Sequence, residues 1–226
     1  MPPTRKLARA RTTRPTRLPR GWDAGNGAIG EVLTALVNRL PGKHVVLNAT
    51  IDGDFPAHHP DPTVATNLVQ LQHAVRYHGC DSASPSMATA TASASSTDLA
   101  ASSGALIALF ARDILKQRPG STIIADVKAS ETLFDDIRRH GGAPLMWKSG
   151  HSLLRSKLAA VGGPFAGEMS GHVFFADRFY GHDDAIYAAV RFLGLAARAE
   201  ESVAEMRDSL PPVMNTPELS SLATTR

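Results

Sequence analysis

The fold is decided between Asp126 and Tyr187. The stretch reads ADVKAS (125–130), GGAPLMWKSGHSLLRSKL (141–158) and AGEMSGHVFFADRFYGHDDAIYA (166–188). Short apolar runs alternate with helix-period segments, each change marked by glycine or by a small polar residue, which is the rhythm of an α/β fold. Thr122–Ala125, Pro144–Trp147 and Val173–Phe175 read as strands. Glu131–His140 and His151–Ala160 read as helices, and Asp184–Arg207 as one long helix with Ile186, Val190, Leu193 and Ala197 as its inward stripe.

Chemistry gathers at the strand ends of this stretch, where α/β folds place ligand-binding side chains. Lys128 follows a strand. His151 opens a helix after Lys148-Ser149-Gly150, and a helix N-terminus attracts anions. Glu168 and Ser170 lie in a glycine-bounded loop, one accepting and the other donating hydrogen bonds, and His172 adds a donor. Together they describe a polar pocket for a sugar or sugar phosphate. Taken singly, each has a plainer reading: Lys128 solvated, His151 a helix cap, Glu168 paired with an arginine. The clustering is what points to a ligand.

Working outward, Asp23-Ala24-Gly25-Asn26-Gly27 is a glycine-rich turn before a helix, Ala28–Leu40. His44–Leu47 reads as a strand and Asn67–His78 as a helix. The rhythm then breaks: Ser82–Thr97 holds only Ser, Ala, Thr, one Pro and one Met, a composition that reads as low complexity and not as a strand core. Order resumes in a helix over Leu106–Lys116. Two α/β units separated by this window are the natural division, and no repeat of solenoid period is present.

Composition narrows the function classes. The single cysteine, Cys80, excludes an internal disulfide and suits a reducing, cytoplasmic compartment. No apolar run reaches the roughly 20 residues of a membrane span. The formal charge of +3 is uneven: Arg5, Lys6, Arg9, Arg11, Arg14, Arg17 and Arg20 precede any acid, and without these seven the remainder carries −4. Residues 1–20 are expected to be a disordered basic leader. A nucleic-acid-binding arm and an organelle transit peptide rank below that, so nucleic acid is not an expected partner. Ser170 is one position away from a G-x-S-x-G nucleophile elbow, so hydrolase chemistry is unsupported. His58-His59-Pro60-Asp61 matches no strong metal-ligand spacing.

Several longer motifs then cohere. Asp23-Ala24-Gly25-Asn26-Gly27-Ala28, Ile51-Asp52-Gly53-Asp54-Phe55-Pro56 and His58-His59-Pro60-Asp61-Pro62 resemble the second domain of the phosphomannomutase/phosphoglucomutase enzymes, the α-D-phosphohexomutase superfamily. Trp147-Lys148-Ser149-Gly150-His151-Ser152 and Gly167–His172 resemble the third, with Ser149 where the family usually has Thr. The resemblance implies two consecutive α/β/α sandwich domains, the first damaged. Residues 21–103 are expected to form a domain II-like unit with its low-complexity window at 82–105. Residues 104–208 then form the domain III-like unit, and 209–226 a tail that stops before a fourth domain. It further implies that Glu168 and Ser170 grip sugar hydroxyls, with Lys128, His151 and His172 around the sugar and phosphate. Mannose and glucose phosphates are both implied partners.

Family enzymes relay a phosphoryl group through a phosphoserine and a Mg²⁺ held by an Asp-Gly-Asp-Gly-Asp-Arg loop. No phosphoserine segment is visible here, and the place of the metal loop holds Ser86–Ala92, without a carboxylate. Back-translated with GC-rich codons and read with one C placed in front, Ser82–Thr97 becomes Leu-Gly-Ile-Ala-Phe-Asp-Gly-Asp-Gly-Asp-Arg-Ile-Gly-Val-Val-Asp, the family's buried strand and metal loop. A frameshift just after Asp81, restored before Leu106, is therefore expected. Losing a buried Leu, Ile, Phe and two Val forfeits about 1.5–3 kcal/mol each, against a whole-domain stability of roughly 5–15 kcal/mol. The first unit should be marginal, whereas the second could fold alone. The expected function is a catalytically inactive phosphohexomutase fragment that needs no cofactor. A non-catalytic sugar-phosphate binder is the alternative, and a leader-driven targeting role ranks last.

Overall fold

The computed structural model describes residues 20–58, 65–80, 82–85, 92–93, 103–201 and 203–210. The chain forms two α/β units. The first contains β1 (Arg20–Asp23), α1 (Gly30–Val37), β2 (His44–Leu47), a 3-10 turn (Ala65–Leu68) running into α2 (Val69–His78), β3 (Ser82–Pro85) and β4 (Ala92–Ser93). The second contains α3 (Ser103–Leu115), β5 (Thr122–Asp126), α4 (Glu131–Arg139), β6 (Ala143–Trp147), α5 (His151–Val161), β7 (Phe165–Gly167), β8 (Val173–Phe175), α6 (Ala185–Arg198) and α7 (Val203–Asp208).

The two sheets share one plan. Strand order is β2-β1-β3-β4 in the first and β6-β5-β7-β8 in the second. In each, three parallel strands are followed by an antiparallel edge strand. The register puts Asp23 opposite Leu47 and Pro85, and Asp126 opposite Trp147. Asp23 and Asp126 thus hold corresponding places, each the last residue of the strand after which its unit's first crossover begins, and both are buried. Loops leaving the parallel strands cluster beyond these carboxylates, at the edge where open α/β sheets bind ligands.

The cores are unequal. In the second unit α3 is the spine: Leu106, Ile107, Phe110 and Ile114 are buried against Ile123, Phe134, Phe165, Phe175 and Phe192. Phe110 meets Phe165, Phe175 and Phe192 edge-on, with ring centroids 5.9, 5.0 and 6.3 Å away, the geometry the ring quadrupole prefers. A separate cluster on the other sheet face joins Ile124, Leu154, Leu158, Ala166 and Phe174. In the first unit Leu71, Val75 and Cys80 form a small cluster. Its larger one, Trp22, Ala24, Leu33 and Val37, is completed by Ala189 and Leu193 of α6. That helix presents Ile186, Tyr187, Val190 and Leu195 to its own unit. It is therefore apolar nearly all round and serves both cores.

Four expectations need correction. Arg20, counted with the basic leader, opens β1 and is buried; the strand Arg-Gly-Trp-Asp is too short and polar to signal itself by alternation. Ser82–Pro85 forms β3 between β1 and β4 in spite of its composition, because ladder pairing is made by backbone groups and needs no apolar side chain. The helix expected over Leu106–Lys116 also begins earlier, at Ser103. The single helix over Asp184–Arg207 is two: α6 ends with Ala199 in an extended conformation (ψ 146°) and α7 starts at Val203. Glu200 and Glu201 follow the end of α6, where the negative end of the helix dipole disfavours carboxylates. The other elements that the sequence predicts lie within a few residues of their expected bounds, and β2 and β8 have the bounds predicted; β4 and β7 have no counterpart in the sequence reading.

Candidate functional site

Asp126 organises the site from below. Its buried carboxylate accepts the Ser149 Oγ hydrogen on Oδ2 at 2.6 Å and the Met169 backbone N–H on Oδ1 at 3.1 Å. One side chain at the end of β5 therefore ties the β6–α5 turn to the β7–β8 loop. The hydroxyl of Ser149, read from sequence as a mild replacement of threonine, is the group this tie needs. Asp23 does the same in the first unit, accepting from Gly25 N–H and Asn48 Nδ2 on Oδ1, both at 2.9 Å, and meeting His58 Nε2 at 2.9 Å on Oδ2. His59, Pro60 and Asp61 lie outside the described residues.

The β7–β8 loop is narrow and backbone-locked. Glu168 N–H donates to the His172 carbonyl at 2.8 Å, and Gly171 N–H to the Glu168 carbonyl at 2.9 Å, with Gly171 at φ 100°. Gly167 lets β7 approach α3, since a Cβ there would lie 2.6 Å from Ile107 Cγ1. The loop holds Ser170 exposed at its tip and folds Glu168 inward. The Glu168 side chain is buried, and its Oε2 has no hydrogen-bond partner among the described residues. An arginine partner for this oxygen is thus not found there. A buried carboxylate oxygen without a donor costs about 1–3 kcal/mol or more, so the position is one that hydroxyl donors of a ligand would relieve.

His172 closes the loop. Its Nδ1 lies 2.6 Å from Asp183 Oδ2, while Asp183 Oδ1 accepts the Val173 N–H at 3.3 Å. The Asp183 bond holds the His172 imidazole above its ordinary value of 6.5, partly offset by burial and aided by the charges of Asp183 and Glu168. His151 is the first residue of α5, with Gly150 as the N-cap, so it does not cap the helix. Its ring instead packs edge-on against His172 at 5.7 Å and at 5.0 Å from Phe174. Lys128 is exposed in the turn two residues beyond β5, the strand next to β7. The five sequence-predicted residues thus converge at one end of the second sheet: Glu168, Ser170 and His172 on one loop, His151 in contact with it, and Lys128 at the adjacent strand end.

Sequence reading missed Asp126 and Asp183. An aspartate ending an apolar strand just before Lys128 was a usable signal for the first. Asp183 carried none, because only the return of the chain after β8 brings it to His172; an isolated bridge, Phe174 to Asp183, marks that return.

The chain matches the phosphoglucomutase/phosphomannomutase, alpha/beta/alpha domain III family over residues 102–214 and the corresponding domain II family over residues 5–84. It belongs to the phosphoglucomutase/phosphomannomutase family, and its two units are the α/β/α domains II and III of that family. The domain II match begins inside the basic stretch read as a leader. Among relatives, the phosphomannomutase/phosphoglucomutase of Pseudomonas putida is 40% identical over 200 residues, 88% of this chain and 43% of that protein. The phosphoglucomutase of Neisseria gonorrhoeae is 37% identical over 204 residues, again 88% and 43%. A phosphoglucomutase/phosphomannomutase family protein from Burkholderia thailandensis superposes with a TM-score of 0.84 at 36% identity, over 95% of this chain and 47% of that one. The chain therefore spans less than half the length of the relatives it matches.

The stretch that the resemblance puts in the place of the family's Mg²⁺ loop has no carboxylate. Mg²⁺ takes hard, mostly carboxylate oxygens in octahedral array, and Ser86–Ala92 offers Ser and Thr hydroxyls alone. Positions 86–91 lie outside the described residues. Among those described, no helix is long and apolar enough to cross a membrane.

Proposed function

We propose that this chain is a cytoplasmic hexose-phosphate-binding member of the phosphohexomutase family that does not itself relay a phosphoryl group. Glu168 Oε2, buried and without a hydrogen-bond partner among the described residues, carries the reading. It sits in a loop whose tip exposes the Ser170 hydroxyl and whose end carries the His172 ring, so an acceptor and two further polar groups lie on one short loop. Sugar hydroxyls supply the donors that Glu168 lacks. The uncapped first turn of α5, which His151 opens, and Lys128 supply positive potential for a phosphate. The names of the relatives, phosphomannomutase and phosphoglucomutase, put mannose and glucose phosphates first among ligands.

Absence of mutase chemistry follows from the uncharged window, not from the chain's ends. Phosphoryl transfer depends on positioning together with neutralisation of the developing charge, and Ser82–Thr97 brings no carboxylate to hold the neutralising cation. Calorimetry with glucose 1-phosphate and mannose 1-phosphate tests the binding half, and loss of heat in Glu168→Ala is the expected result. No binding by the wild-type chain refutes it. A coupled assay with Mg²⁺ and glucose 1,6-bisphosphate tests the other half; turnover above background refutes that.

A further inference from the structure

Asp183 has no counterpart among the residues that the sequence assigned to the site, yet it is fixed more firmly than any of them. Its backbone is paired to Phe174 by the isolated antiparallel bridge. One carboxylate oxygen accepts the Val173 N–H at 3.3 Å, and the other lies 2.6 Å from His172 Nδ1. The next residue, Asp184, caps α6 by accepting the Tyr187 N–H at 2.8 Å. A carboxylate anchored this way has little freedom to leave the ring. It accepts a proton and cannot donate one when ionised, so Nδ1 carries the hydrogen and Nε2 is the free nitrogen.

We propose that Asp183 is the positioning residue of the cradle: by taking the Nδ1–H of His172 it fixes the ring's orientation and turns Nε2 to the phosphate of a bound hexose phosphate. This rests on the sugar-phosphate reading above. The titratable groups around the ring are Asp183 from the segment before α6, Glu168 from the β7–β8 loop and His151 from the first turn of α5. Both carboxylates favour the imidazolium, which donates from Nε2; the neutral ring leaves Nε2 an acceptor that repels a phosphoryl oxygen. Ligand binding therefore weakens as pH rises through the His172 midpoint, and Asp183 decides where that midpoint falls.

The test joins two measurements on the full chain. In the ligand-free protein, ring ¹H–¹⁵N spectra, with His172 assigned by its loss in H172Q, should show a midpoint above 6.5 that drops by at least half a pH unit in D183N and recovers part of that in D183E. Calorimetry with glucose 1-phosphate from pH 6 to 9, glucose itself serving as the phosphate-free control, should show an inflection at the same midpoint. D183N should bind within about twofold of wild type at pH 6 and at least about threefold more weakly at pH 8. In the H172Q background, Asp183→Asn should add nothing. An unchanged midpoint in D183N overturns the proposal. So does an equal loss from Asp183→Asn with and without His172, which would mark a purely structural role that a melting curve of D183N would also register. If the ring titrates as expected but wild type binds no sugar phosphate, the sugar-phosphate reading fails, and the ligand half of this proposal falls with it.

Discussion

Glu168 illustrates how a single residue can oppose stability and serve binding. Its Oε2 is removed from water with no donor among the described residues, so truncation removes a cost of about 1–3 kcal/mol while deleting the group that would meet sugar hydroxyls. Glu168→Ala is expected to raise the thermal midpoint by a few degrees and to weaken hexose-phosphate binding by at least tenfold; calorimetry and a melting curve on the same sample check both. A fall in stability would show that the carboxylate is satisfied in solution. Two histidines give the units opposite responses to acid. His44 accepts the Trp22 Nε1–H at 3.0 Å, and burial, then the charge of Arg20, hold it below its ordinary 6.5. The unfolded chain therefore takes the proton more readily, and stability is lost as pH falls through the ordinary value toward the folded one. His172 is raised, so its contribution is fully present below 6.5 and is lost as pH rises through the folded value. Urea unfolding at pH 5.5 and 7.5 should show Trp22 emission shifting to lower urea in acid, with Trp147 emission holding or shifting upward. Parallel shifts of the two tryptophans would contradict this.

At the scale of elements, β3 and β7 occupy the same slot in two sheets of the same order, and what fills them differs. Phe165 and Ala166 of β7 are wholly buried, whereas β3 is Ser-Ala-Ser-Pro. The slot is kept by backbone pairing with β1. Writing the shifted-frame residues Leu-Gly-Ile-Ala-Phe-Asp-Gly-Asp-Gly-Asp-Arg-Ile-Gly-Val-Val-Asp in place of Ser82–Thr97 should raise the stability of the first unit by several kcal/mol, at about 1.5–3 kcal/mol per buried large side chain. It should also create Mg²⁺ binding detectable by calorimetry. Sequencing the gene tests the same idea: codons 82–97 that do not encode this loop in another frame dispose of it. Gly167 makes the complementary point in β7, where Gly167→Ala should cost about 1–3 kcal/mol by overpacking against Ile107, with part recovered by Ile107→Val. What was legible in the sequence divides along this line. Elements with apolar periodicity, such as β5, α4, α5 and β8, could be read directly, and so could a loop whose ligands are sequence neighbours. The strands β1, β3, β4 and β7 could not, because Arg-Gly-Trp-Asp, Ser-Ala-Ser-Pro, Ala-Ser and Phe-Ala-Gly carry no apolar run or alternation of their own and are made strands by their neighbours. Asp126 and Asp183 escaped for a related reason, since their roles exist only once separate turns meet.

Across the whole molecule the two units are coupled through α6. The family assigns this helix to domain III, and Ile186, Tyr187, Val190 and Leu195 pack there. Ala189 and Leu193, on another face of the same helix, complete the cluster of Trp22, Leu33 and Val37. Among the described residues, the first unit thus shares apolar surface with the second. This bears on whether the second could fold alone: freed of its partner it would keep most of its core but expose Ala189 and Leu193. Leu193→Ala separates the contributions. Removing a buried leucine costs about 2–5 kcal/mol, and here the loss falls at the seam, on the weaker unit. In W147F, where emission reports Trp22, the unfolding transition should move to markedly lower urea. In W22F, where it reports Trp147, the shift should be smaller. The two curves, close together in the parent chain, should then separate, with the first unit melting while the second persists. If both shift by the same amount and remain superimposed, the seam is as strong as either core, and the chain unfolds as one cooperative body.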